Sequence, residues 1–296
     1  MAGRESRAEI KIRPRLEPLP LPLVSYKTSL LIEFKNLTPD HSIGITLSGG
    51  GARGAAHIGV LRALGEAGIV PDKVVGVSAG AIAGVLYAAG LSPDEMLDFV
   101  KEISMVKVIK FGIPRTGLTT MDYLRERLGT VLENDDFMEL KRPLCVGATN
   151  LNTGKFQLFD QGPLIEAVAA SCSIPFVFKP VELNGELFVD GGIMCNMPVE
   201  PLEDQVDYII GSNLIPESHV PVSDLTSVIG ISWRCFDLSV MANTLNCRPC
   251  CDLLFEPPAV ANHNIFSFKK IQELHDIGYN YAKTKITELR SVTDLV

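Results

Sequence analysis

A serine lies between two glycines in the segment Gly76-Val77-Ser78-Ala79-Gly80, directly after the apolar run "DKVVGV". A serine held in a sharp turn between a strand and a helix leaves little room for side chains two residues away on either side, and glycines remove those clashes. The helix that follows would aim its N-terminal amides at negative charge building beside the hydroxyl. The spacing favours a nucleophile elbow with Ser78 as nucleophile, although a close-packed strand–helix turn containing a serine also fits it.

A second glycine-rich turn, Gly49-Gly50-Gly51-Ala52-Arg53-Gly54, precedes the elbow by one predicted helix. Turns that follow parallel strands emerge at the same edge of the sheet, so neighbouring strands would bring these N–H groups beside Ser78 as an oxyanion hole. The spacing also matches a dinucleotide-binding loop, but such a site wants an acid where the second strand ends in Gly76-Val77-Ser78. Arg53 would fix the loop, attract an anionic head group or form a surface ion pair.

A serine hydroxyl needs a base, and histidine is the usual one. His219, His263 and His275 follow Ser78 as a triad would require, but none lies in a strong turn signature. We therefore expect these three to be surface or capping residues, and we expect His57, on the first predicted helix, to be a packing residue.

Asp190 is the stronger candidate for the base. It ends the predicted strand "GELFVD", and the following Gly191 and Gly192 allow close approach of the backbone. The carboxyl ends of strands form the edge of an α/β sheet where sites are built. An aspartate that merely starts a turn is the alternative.

The three blocks resemble the signatures of the patatin-like phospholipase family, as do "ASCSIPFVFKPV" and "DGGIMCNMPV". The resemblance covers roughly residues 42–289 and implies an α/β fold, a three-layer α/β/α sandwich with a mostly parallel central sheet. It also implies a Ser–Asp dyad without histidine that hydrolyses lipid acyl esters, as a phospholipase A or lysophospholipase does. The resemblance implies the following site: Ser78 as nucleophile and Asp190 as base; Gly49, Gly50, Gly51, Ala52, Arg53 and Gly54 as oxyanion hole; Gly76, Val77, Ala79 and Gly80 as elbow; Gly191 and Gly192 as the turn after the base.

One residue departs from the family pattern. Phe176 follows a proline at a position where bacterial relatives commonly have glycine. A larger side chain there would reshape an acyl pocket, so the preferred chain length stays open, as do the head group and the ester position.

Alternating strands and helices must hold these residues in place, which predicts a mostly parallel sheet covered on both faces. Residues 1–41 form a Pro-rich N-terminal extension, and residues 42–296 form the domain. Strands are predicted at "IGITL", "DKVVGV", "RPLCVGATNL", "GKFQLF", "GELFVDGG", "VDYIIGSNL" and "CDLLFEPP", and helices at "GAAHIGVLRALGEAG", Ala79–Ala89, Pro163–Ser171 and Ser267–Leu289.

The composition limits the partners. The 296 residues carry a net charge of -8 at pH 7, so nucleic-acid binding is not expected. Seven cysteines, an odd number, indicate reduced thiols in the cytoplasm. Cys247, Cys250 and Cys251 lack a second pair at zinc-site spacing, so we expect no metal and no cofactor. No secretory leader or spanning segment is recognised in the sequence.

The expected partner is a phospholipid or lysophospholipid substrate, with peripheral membrane contact and homo-oligomerisation left open. Phe99–Leu124 mixes apolar residues with lysines and would be a lid, a lipid-facing ramp or a helix and loop that cover the sheet. Two other functions fit the sequence: an α/β-hydrolase-type carboxylesterase with a Ser-Asp-His triad, and a non-catalytic protein that binds an anion or nucleotide at the Gly49–Gly54 loop.

Overall fold

The predicted strand "IGITL" lies near the middle of a mixed sheet in the computed structural model, which describes residues 41–103, 119–217 and 219–293. The strands are β1 (Ile43–Leu47), β2 (Lys73–Val77), β3 (Leu144–Asn150), β4 (Lys155–Phe159), β5 (Val181–Leu183), β6 (Glu186–Asp190), β7 (Tyr208–Ser212) and β8 (Leu253–Phe255). The helices are α1 (Ala55–Glu66), α2 (Ala79–Ala88), α3 (Pro93–Ile103), α4 (Asp122–Gly129), α5 (Leu164–Ser171), α6 (Val228–Leu245) and α7 (Ile271–Thr293).

The sheet runs in the order β5-β6-β3-β2-β1-β7-β8, and β4 pairs with β3. The strands β3, β2, β1, β7 and β8 are parallel, whereas β4, β5 and β6 pair in antiparallel fashion. Because β1 and β2 are direct neighbours, with Leu47 opposite Gly76, the two glycine-rich turns emerge side by side. This confirms the predicted α/β fold with a mostly parallel sheet.

Alternating side chains of the strands reach two separate apolar clusters. Val74 belongs to the large cluster that the helices bury, and its neighbour Val75 belongs to a smaller one on the other face. The smaller cluster is closed by the segment that contains Met197, Val199 and Leu202. Strands buried on both faces are near-continuous apolar runs, as "KVVGV" is.

Several elements were not predicted. The three-residue strand β5 is short, and α3 and α4 lie in or beside the stretch considered as a lid. α6 lacks a clear apolar stripe because apolar residues occur on all its sides, and so periodicity does not reveal it. The centre of the lid candidate, residues 104–118, and the Pro-rich residues 1–40 lie outside the described residues.

Candidate active site

Ser78 lies between β2 and α2 in a backbone conformation that L-residues rarely adopt, with φ 53° and ψ -120°. Its N–H donates to the hydroxyl of Ser171 at 2.8 Å, and that hydroxyl donates to the carbonyl of Gly147 at 2.6 Å. A Cβ at Gly76 or Gly80 would overlap backbone carbonyl oxygens. The glycines therefore have the steric reason that the elbow prediction gave them, and the strained serine is held by its neighbours.

Asp190 lies at the level of Ser78, but not for the reason that the sequence suggested. It ends β6, and β6 runs antiparallel to β3, so the rule for the carboxyl ends of parallel strands does not apply to it. The register places Asp190 opposite Ala148, one residue beyond the pairing of Gly147 with Val77. The antiparallel register thus brings the acid beside the elbow.

Asp190 is 3% exposed, and its carboxylate accepts the N–H of Gly192 at 2.8 Å. Ser78 lies beside it in the lining of the same small pocket. Burial raises the pKa of Asp190 from its ordinary value of 3.8 to about 6, while the side chain of Ser78 and the N–H of Gly192 lower it. The site therefore places a serine next to a carboxylate that is more basic than usual.

Three consecutive residues at the end of α5 connect the serine to the acid. Besides the Ser171 bond to the N–H of Ser78, the thiol of Cys172 donates to the carbonyl of Ser78 at 3.2 Å. The carbonyl of Ser173 accepts the N–H of Asp190 at 3.0 Å. We call Ser171–Ser173 the α5 clamp. The stretch "ASCSIP" belongs to the family pattern, but its contacts were not predicted.

The Gly49–Gly54 loop offers fewer free amides than the sequence suggested. The N–H of Gly49 donates to the backbone and side-chain oxygens of Asn196, at 3.2 and 3.1 Å. The N–H groups of Ala52 and Arg53 are also bonded within the protein. Within the described residues, those of Gly50 and Gly51 have no acceptor, and both glycines line a small pocket with Ser78. The N–H groups of Gly50 and Gly51 are therefore the two remaining candidate donors for an oxyanion hole.

Two other loop residues have structural contacts. Arg53 donates to the carbonyls of His263 at 2.8 Å and Leu214 at 3.4 Å, so it fixes the loop. Burial lowers the pKa of Arg53, and the charge of Asp237 opposes this. Gly54 lies so close to Ala79 that a Cβ would overlap the alanine methyl group, which locks the loop against the elbow.

Ser78 lies between two pockets of different character. On one side is an apolar cavity of about 100 Å³, lined by residues that include Ile82, Val100, Leu124 and Phe178. On the other side is a cavity of about 30 Å³, whose lining includes Gly50, Gly51, Asp190, Asn196 and Asp237. The hydroxyl can thus meet a molecule with one apolar and one polar end.

All five histidines of the chain are described, and none of them lines either pocket. His57 is buried as expected, where its ring donates to the Ser48 carbonyl and accepts from Ser212, each at 2.8 Å. Burial lowers its pKa to about 4.

His219 is exposed, in line with the expectation for it. For His275 the expectation of a surface or capping role was wrong: it is 2% exposed, contacts Asp276 and stacks on Tyr279. The residues next to His275 in the sequence are polar, so the sequence did not show that His275 lies on the buried face of α7.

The geometry also bears on the other functions considered. A dinucleotide site would need an acid at the carboxyl end of β2, and no acid lies there. Asp72 lies before the start of β2, where its carboxylate accepts the N–H of Ile43 at the start of β1. Among the described residues, no group of three His, Cys, Asp or Glu side chains could hold a metal ion. The helices of the described ranges include none with the length and apolar character needed to cross a bilayer.

Bacterial and fungal relatives match large parts of this chain. An uncharacterised NTE family protein of Mycobacterium bovis is 31% identical over 195 residues, which cover 64% of this chain and 54% of the relative. Lysophospholipase NTE1 of Phaeosphaeria nodorum is 26% identical over 310 residues, which cover 91% of this chain and 20% of the relative. The chain therefore spans about half the length of the mycobacterial relative and a fifth of the fungal one.

Solved structures give a weaker likeness. Human GIVD cytosolic phospholipase A2 matches 92% of this chain and 64% of its own at 11% identity, with a TM-score of 0.44. VipD from Legionella pneumophila matches 81% and 67% at 17% identity, with a TM-score of 0.42. The model of the family "Patatin-like phospholipase" matches residues 45–203, which is more than half of the chain. The chain belongs to the patatin-like phospholipase family.

Proposed function

We propose that this protein is a lipid acyl hydrolase of the phospholipase A or lysophospholipase type. Ser78 is the nucleophile, Asp190 is the general base, and the amides of Gly50 and Gly51 form the oxyanion hole. The observation that carries the proposal is that Ser78 and the buried Asp190 line the same small pocket, where the side chain of Ser78 lowers the pKa of Asp190; the lining of the site contains no histidine.

The proposed reaction has two stages. The Ser78 oxygen attacks the ester carbonyl while Asp190 takes its proton, and the acid then gives that proton to the leaving alcohol. Water, deprotonated by Asp190, attacks the acyl-enzyme, and the fatty acid leaves as Ser78 regains its hydrogen. A base with a pKa of about 6 is mostly ionised at neutral pH and accepts a proton more readily than an exposed carboxylate does.

The two free amides supply the electrostatic part of the mechanism. The oxygen of the ester carbonyl becomes negative in each tetrahedral intermediate, and each well-placed donor stabilises it by about 3–4 kcal/mol. The start of α2 directly after Ser78 adds the positive end of a helix dipole. No metal or cofactor is needed in this scheme.

A lipid substrate is supported by the shape of the site. The apolar cavity beside Ser78 suits the part of a fatty-acyl chain next to the ester, and the smaller polar cavity suits the polar part of the ester. The name of the fungal relative, a lysophospholipase, supports the same substrate class.

The test combines labelling with turnover. A fluorophosphonate probe should modify Ser78 in the wild type, and peptide mass spectrometry would locate the adduct. Hydrolysis of lysophospholipid and of a short p-nitrophenyl ester should both fall by about 10³-fold or more in Ser78→Ala and Asp190→Asn. We expect His263→Gln, the matched control outside both pockets, to keep its turnover.

The outcomes separate the alternatives. A histidine variant as inactive as Ser78→Ala would indicate a triad and overturn the dyad. Short-ester turnover without lipid turnover would indicate a carboxylesterase. No labelling and no turnover of either ester would leave the glycine loop as an anion-binding site and refute the hydrolase.

A further inference from the structure

Two cysteines of separate elements lie in contact beside the loop that follows Asp190. The side chains of Cys195 and Cys247 are close enough to influence each other's pKa, and both are partly exposed. Cys195 lies in the loop after β6, and Cys247 lies just beyond the end of α6. The proposed hydrolysis makes no use of either thiol.

The contact is supported by a set of backbone anchors. Asn243, one helical turn before Cys247, accepts the N–H of Asn196 at 2.9 Å through its side-chain oxygen. Its amide nitrogen donates to the carbonyls of Gly192 at 2.8 Å and Ile193 at 3.2 Å. Because Asn196 directly follows Cys195, these bonds hold together the two segments that carry the cysteines.

Cys247 also has the character of a reactive thiol. The neighbouring Cys195 side chain lowers the pKa of Cys247, against burial and the charge of Glu203. A lowered pKa favours the thiolate, which is the nucleophile in thiol oxidation.

The other buried cysteines differ in this respect. Burial raises the pKa of Cys145 and of Cys251 to about 12 and that of Cys172 well above its ordinary value. Only Cys247, among the described thiols with a shifted pKa, is shifted downwards.

We propose that Cys195 and Cys247 are a redox-active pair that a hydroperoxide converts into a disulfide and a thiol reductant restores. The Cys247 thiolate attacks the terminal peroxide oxygen, the O–O bond breaks, and the alkoxide takes a proton and leaves as an alcohol (water, when the oxidant is hydrogen peroxide). Cys195 then attacks the sulfenic acid of Cys247, the S–S bond forms, and water leaves. The peroxide gains the two electrons that the thiols lose.

The geometry favours this pairing over others. The two thiols belong to segments that the Asn243 bonds already hold together, so the S–S bond would form between neighbouring parts of the fold. Cys251 contacts the backbone carbonyl of Cys247 at 3.7 Å, but its own buried thiol is held in the protonated form. Cys235 is exposed on α6 and serves as a control thiol.

Peptide mapping tests the proposal directly. Reduced protein, freed of reductant, is treated with a few equivalents of hydrogen peroxide, alkylated and digested without reduction by a protease that cleaves after acidic residues. Residues 191–200 then carry Cys195 alone, and residues 238–252 carry Cys247, Cys250 and Cys251. We expect these two peptides to be joined through Cys247, as fragment ions would show, and to separate after dithiothreitol.

The variants give matched comparisons. Cys247→Ser and Cys195→Ser should each lower the joined peptide by at least about tenfold, and Cys235→Ser should leave it unchanged. The same treatment in urea should give far less of it, because the contact depends on the fold.

Three results would overturn the proposal. In the first, the peptide of residues 191–200 is recovered fully alkylated, so that Cys195 has formed no disulfide. In the second, Cys195 is linked to Cys250 or Cys251 instead of Cys247. In the third, the joined peptide forms in equal yield in urea and in buffer. Since the readout is the cross-link, it is independent of whether the protein hydrolyses lipids.

Discussion

Replacement of Asp190 by asparagine should make the protein more stable at neutral pH while it abolishes hydrolysis. The carboxylate is buried, and its pKa is raised from 3.8 to about 6, with burial as the main cause. The folded state therefore binds the proton more tightly than the unfolded chain. Stability falls as the pH rises from about 4 to about 6, and the loss is complete above the folded pKa.

The size of the effect follows from the shift. The pKa of Asp190 differs by about two units between the folded and unfolded states, and each unit corresponds to about 1.4 kcal/mol. The ionised carboxylate therefore lowers the stability of the wild type by about 3 kcal/mol at pH 7–8. Asparagine carries no charge to desolvate and keeps an oxygen that can accept the N–H of Gly192. The free energy of unfolding of the variant should thus be about 3 kcal/mol higher than that of the wild type at pH 8 and almost equal to it at pH 4.

Urea unfolding of both proteins at pH 4, 6 and 8 measures this difference, and other titrating groups cancel in the comparison. Asp98→Asn, on the exposed face of α3, controls for the loss of one negative charge. Intact mass should be checked in each sample because asparagine is a labile residue, above all before glycine.

Activity gives the second half of the prediction. Wild-type kcat/KM should rise with pH and reach half its plateau near pH 6, whereas Asp190→Asn should stay about 10³-fold below the wild-type plateau and show no titration near pH 6. An Asp190→Asn protein that is less stable than the wild type at pH 8, or a stability difference that is independent of pH, would refute the reasoning.

Three further substitutions test the support of the site. Gly51→Ala places a side chain beside a backbone carbonyl at a residue with a φ of 58°, which should displace the loop and lower kcat by about 10²–10³-fold. The control is Gly65→Ala, which has open space around it and should leave kcat unchanged. Ser171→Ala removes the acceptor of the Ser78 N–H and should lower the free energy of unfolding by about 1–3 kcal/mol in urea; no change would contradict the role of that bond. Phe176→Gly should be about 1 kcal/mol more stable than Phe176→Ala in the same assay, because both lose the ring but only glycine suits a φ of 69°; equal values would argue against strain there.

Much of the site could be predicted because the spacing of the glycines marks positions where a side chain would clash with the backbone. Gly76 and Gly80 are required by close backbone approach within the elbow, and consecutive parallel strands joined by one helix, such as β1 and β2, are commonly neighbours in a sheet. The position of Phe176 also carried a usable signal, since a family glycine often marks a left-handed backbone.

The remaining features depend on contacts between distant segments. The antiparallel direction of β6 is set by its pairing with β3 and β5, which no local pattern in "GELFVD" encodes. The contacts of Ser171 and Asn196 with the two turns have no sequence spacing of their own. Likewise, only tertiary packing shows that the N–H of Gly49 is already occupied.

The α5 clamp has a consequence for how the reacting groups move. Ser78 and Asp190 come from strands that are not neighbours, since β3 lies between β2 and β6, yet both are tied to one short piece of chain. When the sheet twists or the helices shift, the hydroxyl and the carboxylate are carried together, and their separation varies less than their positions do. A graft of this chemistry onto another scaffold would have to include that connecting segment as well as the two reacting side chains.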